Sequence, residues 1–236
     1  PLPRLRASCL ERWAGMLNEF LANFSGLLAQ GTLDTLVMVF VSTAIAYVFG
    51  TALGVVLHLT AASGLRPMPV LNAVLGWVVN IGRSLPFIIL LIALMPWTAA
   101  IVGVSTGVRG VIPPLVVATA PFVARMIEQS LAEVSHDAVE AAEACGASVP
   151  RIVFSALLPE ALPSIVRGVA VTLIAVLGYT AIAGAVGAGG LGDIAIRYGY
   201  YRYENEVMIV TVVLLIILVQ LIQTVCNFIA QKVDHR

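Results

Sequence analysis

From Val207 to Ile229 the chain runs twenty-three residues without a charge, most of them valine, leucine and isoleucine. A helix needs about 20 apolar residues to cross a bilayer. A run of this length without one charge is therefore read as a membrane span. Composition extends the constraint to the whole chain. Of 236 residues, 60% are hydrophobic and 11% charged, and mean hydropathy is +0.99. An ordinary soluble domain carries about 25% charged residues. The sequence therefore predicts an all-α integral membrane protein.

Five membrane spans are expected. Span one runs from about Thr35 to Leu59, with Gly50 and Gly54 at the four-residue spacing that lets helices approach closely. Span two covers Leu85 to Val104, bent by Pro86 and Pro96, with a helical lead-in from about residue 70. Span three opens on Pro113-Pro114 and emerges at Arg125 and Glu128. Span four covers Val166 to Ala185 and is followed by the glycine-rich run "GAVGAGGLG". There Gly184, Ala188 and Gly192 repeat the close-packing spacing. Span five is the opening run, Val207 to Ile229.

Residues 1–30 form a separate segment ahead of a single transmembrane domain, 31–236. Trp13, Met16, Leu17, Phe20, Leu21, Phe24, Leu27 and Leu28 recur at three- and four-residue spacing. That is one helix face, and Glu11, Arg12 and Glu19 interrupt it. The pattern predicts an amphipathic helix lying in the membrane interface. The chain begins with Pro1, so an initiator methionine or more is expected to have preceded it.

Several function classes fall away. Net charge is zero, so no basic surface invites nucleic acid. Lys232 is the sole lysine and follows Gln231. A phosphate-binding loop needs a lysine after a glycine, so ATP hydrolysis on this chain is not expected. Cys9, Cys145 and Cys226 are far apart, as are His58, His136 and His235, so neither a disulfide framework nor a metal cluster is predicted. An ion-coupled transporter would carry acidic residues or histidines within its spans. Spans two, four and five hold none, and His58 sits near the end of span one. Ser84, Ser164 and Thr180 have no histidine or carboxylate beside them at membrane depth, which argues against an embedded hydrolase.

The polar section lies between spans three and four. Asp137 and Glu140 have the spacing of a capping box, and Gly146 suits a left-handed stop. A helix over 138–145 is expected, with a second over 149–158 that Pro159 and Pro163 end or bend. A helix of eight residues is marginal alone. Its alanines, Ala138, Ala141, Ala142 and Ala144, bury little area but allow another protein's backbone to come close. The expected role is a docking helix.

"EAAEACGASVPRIVFSALLP", residues 140–159, resembles the EAA motif of ABC importer permeases. Glu140, Ala141, Ala142, Gly146, Leu158 and Pro159 match that motif, and Ala156 stands where it has isoleucine. Four further stretches, "GRSLPFIILL", "APFVARMIE", "LLPEALPSIV" and "GYTAIAGAVGAGGLGDI", are similar to the methionine importer permeases among them. The resemblance covers about residues 31–235. It implies that the polar section is a coupling helix docked in a cleft on an ATPase, with Asp137 beside the six matching residues. It implies a homodimer of this chain, a homodimer of ATPase subunits carrying the ATP and magnesium, and an external binding lipoprotein that delivers methionine. It places the chain in a bacterial inner membrane, amino end outside and carboxyl end cytoplasmic. Span four would line the path, with Tyr179 and Ile182 as gate candidates. Permeases for phosphonates, sulfonates or other amino acids share the motif, so the solute rests on the narrower resemblance.

Overall fold

A computed structural model describes residues 2–233, with side chains from Phe24 onward. Among the described residues the chain is helical and holds no strand. Helix α1 spans Leu2–Thr60 with no break near residue 30. The interfacial face expected at Trp13 to Leu21 lies outside the described side chains. The apolar part of α1, Phe24–Thr60, has 37 residues. It is about 55 Å long, against a hydrocarbon core of about 30 Å.

Span two is not one helix. It is the pair α2, Pro69–Ser84, and α3, Phe87–Val102, bent by 104° at the break. Pro86 explains the break: the residue before a proline is pushed out of helical geometry, and Leu85 has ψ 127°. Pro96, the other expected bend, lies inside α3. Helix α4 covers Gly107–Ala132 and starts six residues before Pro113, so the two prolines lie inside it and not in its first turn. The short α5, His136–Ala144, and α6, Val149–Ile152, follow. A π turn, Val153–Leu157, then leads directly into α7, Leu158–Ala183. The chain closes with α8, Gly190–Ile194, a second π turn over Ala195–Tyr200, and α9, Asn205–Val233.

Pro159 and Pro163 do not end the helix that precedes them. Helical geometry continues from Val149 to Val186. A proline ring clashes with the carbonyl four residues back. For Pro159 that carbonyl is Ser155's, inside the π turn, where the backbone is wider and Leu158 N–H donates to Val153 O instead.

The two ends of the bundle can be told apart by what meets there. Leu59 and Leu65, flanking the end of α1, pack with Val139, Ala142 and Val149 around a buried cluster that includes Ile127, Leu131 and Ile152. At the other end Gly107 N–H donates to Gly187 O at 3.0 Å, and Leu191 N–H donates to Thr35 Oγ1 at 2.9 Å. Leu28, Leu191, Ile194 and Val207 cluster at that end too. The pair α2–α3 therefore begins at the α5 end and finishes at the Gly187 end. That is the course a broken span takes, and among the described residues it stands beside four helices long and apolar enough to cross alone.

No hydrophobic force draws helices together in lipid, so close backbone approach matters. Helices α1 and α4 show it. A Cβ on Gly50 would stand 2.6 Å from Val123 Cβ, and one on Gly54 would stand 2.5 Å from the Ala124 carbonyl oxygen. The spacing read in span one thus has α4 as its partner. The spacing of Gly184, Ala188 and Gly192 likewise serves close packing, here at a tight turn: a Cβ on Gly184 would stand 2.3 Å from the backbone of Gly192. Helix α7 has already ended, the chain turns at Gly187, and Gly192 packs back on Ala181.

Candidate functional site

The α5 helix projects from the bundle, and none of its residues is fully buried. Val139 and Ala142 turn inward onto the cluster around Ile127 and Leu131. Asp137, Glu140, Ala141 and Ala144 are exposed at i, i+3, i+4 and i+7, which is one face. The bundle thus holds α5 from one side and leaves the other open. Ala142, expected at the docking surface, belongs to the inner side.

The start of α5 differs from expectation. Its N-cap is Ser135, two residues before Asp137, and no side-chain capping bond forms. Asp137 sits in the first turn, where its charge opposes the positive end of the helix dipole. Glu140 does not reach back to a cap: its Oε1 lies 3.3 Å from His136 Nε2. The capping box is absent because the helix starts earlier than the spacing implied.

The end of α5 follows the expectation. Gly146 has φ +74°, and its N–H donates to Glu143 O at 2.8 Å. Ala147 N–H donates to Ala142 O at 3.1 Å. This pair of bonds is the Schellman closure. A Cβ on Gly146 would meet nothing within 4 Å, so the glycine serves backbone angle and not space. Leu158 is half-buried against the inner cluster, and Pro159 is exposed at the start of α7. Ala156 also packs on that cluster, so the departure from the motif falls at a packing position.

The gate candidates lie on α7, far from α5. Tyr179 is half-buried and stacks on Phe87, with ring centroids 4.7 Å apart and planes 18° from parallel. Ile182 is 44% exposed. With Arg167, Val171 and Gly178 it forms an open stripe down one face of α7.

Sequence reasoning missed one constellation. Ser130 Oγ donates to Ser164 Oγ at 3.0 Å, and Ser164 Oγ donates to Glu133 Oε2 at 2.9 Å. This ties the end of α4 to the start of α7, across the base of the α5 loop. The residues are up to 34 apart in the chain, and no periodicity links them. Nearby, Arg125 bonds Glu128 at 2.6 Å and Asn80 at 3.0 Å, joining α4 to α2.

Comparison with known proteins fits this architecture. Residues 50–236 match the family described as "Binding-protein-dependent transport system inner membrane component". The chain belongs to that family. The permease is 48% identical over 218 residues to the probable D-methionine transport system permease protein MetI of Vibrio cholerae, covering 92% of this chain and 97% of the relative. It is 41% identical over 180 residues to the methionine import system permease protein MetP of Bacillus subtilis, covering 76% and 81%. Among solved structures, it is similar to a chain of the MetNI methionine ABC transporter in an inward-facing conformation. The TM-score is 0.89 at 45% identity, over 90% of this chain and 99% of the other.

Proposed function

We propose that this permease is the membrane subunit of an ATP-driven methionine importer, working as a homodimer in a bacterial inner membrane. The observation that carries the reading is the 48% identity, over 92% of the chain, to a relative named for D-methionine transport. A homodimer of ATPase subunits binds ATP and magnesium and docks on the α5 helices. An external binding lipoprotein delivers methionine at the opposite end of the bundle. The amino end lies outside and the carboxyl end in the cytoplasm.

The α5 geometry supports the docking role. Asp137, Glu140, Ala141 and Ala144 present an open face, acidic in its first turn and small-sided in its second. Such a face fits a cleft that admits backbone closely and carries basic groups at its rim. Gly146 closes the helix, while Ala142 and Leu158 seat it on the bundle. Closure of the ATP sites would then push on α5 and, through the π turn, on α7. The stripe on α7 lines the path, with Tyr179 and Ile182 near its outer end.

The test is reconstitution of this chain with its ATPase and binding lipoprotein in proteoliposomes. Labelled methionine should accumulate only with ATP and the loaded lipoprotein, and unlabelled methionine should compete. Uptake of another solute but not methionine would overturn the substrate. ATP turnover unaffected by Glu140→Lys, with the ATPase still bound, would overturn the docking role.

A further inference from the structure

The carboxyl end of α4 and the first turns of α7 enclose a groove of about 330 Å³. Its walls differ in character. One end carries the Glu133 carboxylate and the Arg167 guanidinium; the other is lined by Met126 and Val171. Glu133 is the C-cap of α4, so the negative end of that helix dipole adds to its charge. Ser130 and Ser164 fix the Glu133 carboxylate through the hydrogen bonds at 3.0 and 2.9 Å. Arginine carries five N–H donors in a planar fork, so engagement elsewhere leaves capacity for a carboxylate. Arg167 and Val171 belong to the same α7 face as Gly178 and Ile182.

We propose that this groove is an exit-side binding site for a zwitterionic amino acid with an apolar side chain. The ammonium group faces Glu133, the carboxylate faces Arg167, and the side chain lies against Met126 and Val171. Both charged groups are exposed, so their pull is screened by water and salt. Weak binding is what a release site needs: it draws the solute down the α7 stripe without holding it. The proposal deepens the reading of this chain as a methionine permease and rests on it.

The assay uses the assembled permease–ATPase complex in proteoliposomes and a diazirine analogue of methionine, with the same zwitterionic head, as photolabel. Adducts are mapped by peptide mass spectrometry. Label is expected on residues 126–133 or 164–171 and should fall when methionine competes. Arg167→Gln and Glu133→Gln should each reduce it about threefold in complexes that elute intact. Arg167→Lys keeps the positive charge and should retain most of the label. Label found only elsewhere, or unchanged in both neutralised variants, overturns the site. Uptake by the same vesicles tests the substrate reading separately: uptake without label on these helices removes the site and leaves the methionine reading standing.

Discussion

Gly146 and Gly54 are both positions that favour glycine, for opposite reasons. At Gly146 the backbone is left-handed and the space around it is open. An alanine there pays about 1 kcal/mol for the conformation and meets no neighbour. Gly146→Ala should therefore assemble and lose only part of its coupled ATP turnover. Gly146→Arg carries a similar backbone cost and adds bulk only where a partner would sit. If the arginine variant alone releases the ATPase in pull-down, the surface beside Gly146 is a contact; equal behaviour of the two variants would show that only the α5 cap matters. At Gly54 the helix is ordinary and the space is closed. A valine would press on the Ala124 carbonyl and on Ile127. A backbone atom cannot swing aside as a flexible side chain does. Gly54→Val should push α1 off α4 and reduce the yield of monodisperse permease several-fold in size-exclusion chromatography, while Ala52→Val, at an exposed position, should not.

At the scale of elements, the chain announced its long spans and concealed its junctions. Uncharged runs made α9 and most of α1 legible, because lipid forbids charge whatever the neighbours do. The end of α5 was legible too, because a left-handed stop needs glycine locally. The α5 start was not: Ser135 and Asp137 are both residue types that cap helices, and the helix begins after Ser135 with no side-chain capping bond to mark it. Prolines misled in both directions. Pro86 breaks the α2–α3 pair by 104°, whereas Pro159 and Pro163 lie inside a continuous helix, where a π turn absorbs the clash of Pro159. The second π turn, over Ala195–Tyr200, has no proline, and nothing in the sequence accounts for it. Helix α7 carries the element-scale prediction. Tyr179 is pinned against Phe87, while Ile182 stands open three residues on. Ile182→Ala should widen the outer end of the stripe without disturbing the core. ATP-independent efflux of methionine from loaded vesicles should rise several-fold, with ATP-driven accumulation falling in step. No change in either quantity would remove Ile182 from the gate.

At the scale of the whole molecule, the question is how many times the chain crosses the bilayer. Among the described residues four helices are long and apolar enough to cross alone, and the bent pair α2–α3 makes a fifth crossing or a re-entrant loop. An even number would leave both ends of the chain on one side of the membrane; an odd number separates them. The contacts favour five. The loop before α2 packs through Leu65 with residues of α5, while the loop after α3 leads to Gly107, bonded to Gly187 at the far end. A re-entrant loop would return to the end it left. The consequence can be read in cells, in a background with the three native cysteines replaced by alanine. Arg66→Cys lies before α2, and Ser105→Cys lies after α3. A membrane-impermeant maleimide should label Cys at 105 in intact cells, and Cys at 66 only after permeabilisation. Labelling of both positions from one side would make the pair re-entrant and bring the two chain ends to the same face. The ATPase, seated on α5, would then share its side of the membrane with the outer end proposed for the amino terminus. That arrangement cannot place the binding lipoprotein and the ATPase at opposite ends of one path, so the labelling pattern at these two positions tests the importer reading as well as the fold.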